Sequence, residues 1–153
     1  MKYLLALCTI LLLNACNMQE IRPSDTNVDL SSAEQLANTA YQSQDWHTAE
    51  QAYLDLTNRS PSTAEYWFRL GNIYAQTDRL DDAVSAYKQA LQRDSENSSI
   101  WHNLGIVQLR QATTTFIDMV NHTPESDPLN QRARHVVISV TELMESGFES
   151  VPE

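Results

Sequence analysis

AEYWFRLGNIYAQTDRLDDAVSAYKQALQRDSEN, residues 64–97, decides how this chain is read. Its apolar side chains return every three or four residues. Tyr66, Trp67, Leu70, Gly71, Ile73 and Tyr74 come first; past the polar step Thr77-Asp78-Arg79 come Leu80, Ala83, Val84, Tyr87, Ala90 and Leu91. That is the period of an amphipathic helix, so the stretch predicts two helices joined by a short turn. The same pattern recurs 34 residues away on both sides. Leu36, Ala37, Ala49, Tyr53 and Pro61 answer to it before, and Trp101, Leu104 and Gly105 after.

A 34-residue period carrying Trp67-x-x-Leu70-Gly71-x-x-Tyr74 and then Ala83-x-x-x-Tyr87 resembles the tetratricopeptide repeat. The resemblance covers residues 30–109 and implies helical hairpins that stack into a curved surface binding another protein, with no chemistry of their own. The expected fold is all-α: a short helical-hairpin solenoid of the tetratricopeptide type, with an elongated third-repeat helix and a C-terminal capping helix.

The chain has 153 residues, 42% of them hydrophobic and 20% charged, which suits one folded domain with a core. Twenty acidic against ten basic residues give a net charge of −10. That balance argues against a nucleic-acid partner. Both cysteines, Cys8 and Cys16, fall within the first sixteen residues.

Met1-Lys2 is followed by an apolar run from Tyr3 to Leu13. A spanning helix needs about 20 apolar residues, so the run reads as a secretory signal instead. It ends in Leu13-Asn14-Ala15-Cys16, which resembles the lipobox of bacterial lipoproteins. The resemblance implies cleavage before Cys16 and acylation there, giving stable anchorage to a membrane. An ordinary signal with an incidental cysteine, or an uncleaved anchor, are the other readings. Asn17, where that family's inner-membrane retention signal is Asp, implies the outer membrane facing the periplasm. The expected organisation is a signal peptide at 1–15, a lipidated flexible tether at 16–30, a helical domain at 31–147 and a disordered tail at 148–153. The tether is polar and could reach ~50 Å if fully extended.

Ser31 with Glu34, and Ser62 with Glu65, are capping-box patterns that open helices. Asp45 caps the helix between them, and Pro61 ends it. Apolar positions from Ile100 to Val120 run through Thr113-Thr114-Thr115 with no turn residue, predicting one long helix over 99–120. Asp127-Pro128 opens a last helix that stops at Gly147. Gly71 and Gly105 share one repeat position, read as a close helix approach. Trp67 and Trp101 are read as fillers between hairpins.

The resemblance places function on the first helix of each hairpin. Carried over by position, the groove comprises Glu34, Asn38 and Tyr41, then Glu65, Phe68, Arg69, Asn72 and Ala75, then His102, Asn103, Ile106 and Leu109. Asn38 and Asn72 fall where the family often grips a peptide backbone; two solvated asparagines are the other reading. Glu34 stands where the carboxylate-binding version of the family has lysine, which argues against capture of a C-terminal carboxylate. Glu34 and Glu65 imply a preference for basic segments. His47, His102, His122 and His135 are scattered, and no phosphate loop or nucleophile elbow occurs, so no catalytic residue, metal or cofactor is expected. The expected function is a lipid-anchored periplasmic adaptor or scaffold for a protein or peptide partner in the bacterial envelope, aiding assembly of a pilus or secretin, outer-membrane protein or cell-wall enzyme complex. The alternative is a structural lipoprotein that self-associates as a homodimer through the open edge of the long third helix, with no groove ligand.

Overall fold

The computed structural model describes residues 23–145. The expected signal peptide, Cys16, the first part of the tether, Gly147 and the tail lie outside the described residues. Six helices and no strand occur among those described: α1 (Pro23–Gln42), α2 (Trp46–Arg59), α3 (Ala64–Gln76), α4 (Leu80–Leu91), α5 (Ser98–His122) and α6 (Pro128–Leu143). The chain divides into a unit Met1–Ser31 and a unit Ser32–Glu153; the packing and contacts that follow belong to the second. There α2 packs on α3, α3 on α4, α4 on α5 and α5 on α6, so neighbours in sequence are neighbours in space.

The hairpin turns obey the 34-residue period. Gln44 (φ 58°) and Asp78 (φ 59°) both adopt the left-handed conformation. The residue after each donates its N–H back across the turn, Asp45 to the Ala40 carbonyl (2.9 Å) and Arg79 to the Tyr74 carbonyl (2.8 Å). These bonds satisfy carbonyls that a helix end otherwise leaves open. One period later stands Ala112, a strong helix former, and the chain continues as helix. The long α5 is thereby explained by a residue present as well as by turn residues missing. Thr113, Thr114 and Thr115 bend their hydroxyls back to the carbonyls of Leu109, Arg110 and Gln111 (2.8, 3.1 and 3.2 Å), so their oxygens do not compete with the helix.

The core runs through Ala83, Tyr87, Ala90, Leu91, Ile100, Leu104 and Val107, with Trp67, Phe68 and Tyr74 packed against it. Burying each large side chain of this set contributes about 1.5–3 kcal/mol. Gly71 belongs here: a Cβ on it would lie 2.4 Å from Cδ1 and Cε1 of Tyr87.

Five expectations are corrected. The backbone is already helical at Pro23, so residues 23–30 are not tether; proline suits a first helical position, and a helical residue advances only ~1.5 Å. Ser31 therefore lies inside α1 and caps nothing. Thr63, not Ser62, precedes α3 and makes no side-chain cap, while Glu65 turns to Arg69 (2.6 Å). Gly105 faces open space with no atom within 4 Å. The tyrosine partner that Gly71 has in Tyr87 falls, one period on, at Asn121 of the same helix. Trp101 is 55% exposed and fills no gap. Its indole N–H donates to the Ser95 carbonyl (2.9 Å), as that of Trp67 does to Pro61 (3.1 Å). Arg93 lies over the Trp67 ring, 4.8 Å from its centroid; one period on, that position is Asp127. Leu36 is likewise 57% exposed, whereas its repeat counterparts Leu70 and Leu104 are buried; no earlier hairpin among the described residues covers it.

Asp127 caps α6 by accepting from the Leu129 N–H (2.8 Å), and Pro128 follows at the first position, as the sequence predicts. The turn before it is locked by a residue the sequence reading overlooks. Asn130 is fully buried, its amide donating to the carbonyls of Val120 (3.0 Å) and Thr123 (2.9 Å) and to the Thr123 hydroxyl (2.9 Å). Its oxygen accepts from Arg134 Nε (2.9 Å). An asparagine in a helix reads as solvated; nothing in its spacing signals a clamp.

Candidate functional site

Two hydrogen bonds repeat with the chain. The Tyr53 hydroxyl donates to Asn38 Oδ1 (2.7 Å), and 34 residues on the Tyr87 hydroxyl donates to Asn72 Oδ1 (2.8 Å). Each joins the second helix of a hairpin to the first, with the phenol buried and the asparagine at the rim. Asn103 Nδ2 also donates to Asn72 Oδ1 (2.9 Å), extending the network to α5. The Asn103 oxygen in turn lies 3.3 Å from His102 Nδ1.

Around this network lies an open groove of ~530 Å³ lined by Tyr41, Asn72, Ala75, Gln76, Tyr87, Asn103, Ile106, Val107 and Arg110. Of the residues proposed from sequence, it brings together Tyr41, Asn72, Ala75, Asn103 and Ile106. Ile106 is only 8% exposed and forms floor, not projection. The sequence reading missed Gln76 and Arg110; their one available signal was position, three or four residues beyond Asn72 and Ile106 on the same helix faces. Arg110 donates to the Ala75 carbonyl (3.1 Å) and pairs with Asp78 (3.2 Å).

The other proposed residues have internal roles. Phe68 packs on the Tyr87 ring, centroids 6.0 Å apart. Glu65 is held by Arg69, whose guanidinium sits 4.8 Å above the Tyr41 ring. Tyr41 meets the edges of Trp46 and Tyr53 at 5.6 and 6.3 Å. Glu34 accepts a hydrogen bond from the Tyr66 hydroxyl. Leu109 and His102 are half-buried outside the groove lining. With Glu65 ion-paired and Glu34 hydrogen-bonded, the charge argument for basic segments loses its footing.

Asn72 is asymmetric in what it offers a ligand. Its oxygen takes two hydrogen bonds, and its Nδ2 donates to nothing among the described residues. It is poised to give a hydrogen bond to a carbonyl and not to receive one. Replacing Asn72 or Asn38 would also strip a buried tyrosine hydroxyl of its partner, at about 1–3 kcal/mol. An exposed-site substitution would instead have left folding intact.

Burial pushes the Tyr53 and Tyr66 phenols up to about 12, the bond to Glu34 adding to the effect at Tyr66, and raises Tyr87 as well. The folded chain then holds these protons more tightly than the unfolded chain, in which a phenol titrates near ~10. Stability is fully present below pH ~10 and is lost as pH rises from there through about 12. Denaturation midpoints taken across this range are expected to fall; a level profile would contradict the tyrosine network.

Residues 34–98 match the tetratricopeptide repeat family. The general transcriptional corepressor ssn6 of Schizosaccharomyces pombe is 27% identical over 104 residues, which cover 63% of this chain and 9% of that protein. The chain thus spans under a tenth of that relative's length. Repeats of this family are protein-interaction modules and typically carry no catalysis.

Proposed function

We propose that this chain is an adaptor whose groove between α1, α3 and α5 holds an extended peptide or protein segment, and that an acylated Cys16 ties it to the bacterial outer membrane, facing the periplasm. One observation carries the binding half. Three first helices, α1, α3 and α5, converge on one open groove, and its Asn72 is held in place by the buried Tyr87 behind it and by Asn103 beside it. Preorganised donors of this kind spare a ligand the cost of ordering them. The chemistry that fits is a backbone carbonyl over Asn72 Nδ2 and Arg110, with an apolar side chain on Ala75, Ile106 and Val107. In that setting the adaptor would help assemble an envelope machine such as a secretin, an outer-membrane protein or a cell-wall enzyme complex.

Leu13-Asn14-Ala15-Cys16 supports the anchoring half, and Asn17 supports the outer membrane. Two or more acyl chains, at about 0.8 kcal/mol per buried CH₂, anchor a chain stably. Cys16→Ser is expected to abolish labelling by a tagged fatty acid and release the chain from the membrane fraction. Continued labelling of that variant would refute the lipid anchor without touching the groove.

A further inference from the structure

We infer that the concave groove selects a proline-rich segment in the polyproline II conformation; this rests on the adaptor reading and names the ligand class of that same site. The hydrogen bonds already made within the lining decide it. Asn72 Oδ1 accepts from the Tyr87 hydroxyl (2.8 Å) and from Asn103 Nδ2 (2.9 Å), which occupies both its lone pairs. Asn103 commits its Nδ2 to that contact and turns its oxygen to His102 Nδ1 (3.3 Å). The Ala75 carbonyl accepts from Arg110 (3.1 Å). Where Asn72, Ala75 and Arg110 meet, what is left for a ligand is donors. They are Asn72 Nδ2 and the guanidinium N–H groups of Arg110 beyond those bonded to Ala75 and Asp78. Tyr41 and Gln76 on the same lining can donate or accept.

An ordinary peptide brings one N–H for every C=O. An N–H laid over this centre loses its water and gains no acceptor. Proline removes the N–H and leaves the carbonyls. It also holds itself and the residue before it extended, so less chain freedom is lost on docking. Its ring has surfaces to rest on, the Tyr41 ring and the shallow apolar floor of Ala75 and Ile106. An anion is the other ligand rich in acceptors, and charge disfavours it. The lining cation Arg110 is already paired with Asp78 (3.2 Å), and the chain as a whole carries −10. A neutral segment that offers carbonyls and few N–H groups is what remains.

Fluorescence anisotropy of the purified full chain tests this with labelled peptides of equal length. One alternates proline with alanine; in the others serine or glutamate replaces every proline. The proline peptide is expected to bind about tenfold tighter than the serine peptide. Asn72→Asp keeps the oxygen that Tyr87 and Asn103 use and turns the free donor into an acceptor. It should erase the proline preference while leaving the melting transition in place. Gln76→Trp, an exposed change on the lining that leaves the Asn72 network alone, should also block the proline peptide. Equal binding of the proline and serine peptides, tighter binding of the glutamate peptide, or a proline preference that survives both substitutions would each overturn the inference. If no peptide binds while a photocrosslinker at Gln76 still captures a polypeptide in cells, the ligand class is wrong and the groove reading stands. If neither binds nor crosslinks, the groove reading falls with it.

Discussion

Gly71→Leu is expected to destabilise the second unit by about 3 kcal/mol or more, at or beyond the upper end of usual overpacking costs. The first added carbon alone would sit 2.4 Å from two ring atoms of Tyr87, far inside contact distance. The ring cannot easily yield. It is 1% exposed, its hydroxyl is fixed on Asn72 and the Phe68 ring packs against it at a tilt. Gly105→Leu is the matched comparison. It occupies the same repeat position, nothing lies within 4 Å of its Cβ, and leucine is the better helix former by up to about 1 kcal/mol. Its denaturation midpoint should hold or rise while that of Gly71→Leu drops. Equal shifts for both would mean that the Tyr87 contact is not what keeps Gly71 small.

Thr114→Pro is expected to cost about 3 kcal/mol or more. Thr114 lies well inside α5, and proline there removes the backbone N–H hydrogen bond to the Arg110 carbonyl and drives the ring against that carbonyl. Arg110 also lines the groove and ties α5 to the Asp78 turn, so a kink at this point disturbs the site as well as the helix. Loss of helical signal with an earlier melting transition is the expected result. A variant as stable as the parent would place a turn at 111–115 and complete the third hairpin.

The repeat, the hairpin turns, the Asp45 and Asp127 caps and the length of α5 were all legible because each rests on local pattern. Period, turn chemistry and a proline or aspartate at a fixed offset need no knowledge of distant contacts. Capping boxes failed where a glutamate had a better partner in space, Tyr66 for Glu34 and Arg69 for Glu65. The third repeat copies the motif residues Trp101 and Gly105 without the second helix that gives them meaning, so both stand exposed. The groove was half legible. Position along the first helices found Tyr41, Asn72, Ala75, Asn103 and Ile106, but the Tyr87 behind Asn72 is a contact between helices. Asn130 shows the same limit, since its acceptors sit across a turn on another helix.

The claim that the groove takes a partner is tested most directly by photocrosslinking from it. A benzophenone side chain at Gln76, exposed on the groove lining, is compared with one at Ser85, exposed on α4 and absent from that lining. In intact cells Gln76 is predicted to give discrete adducts with another polypeptide and Ser85 none. Equal adducts from both positions, or adducts from Ser85 alone, would contradict the account.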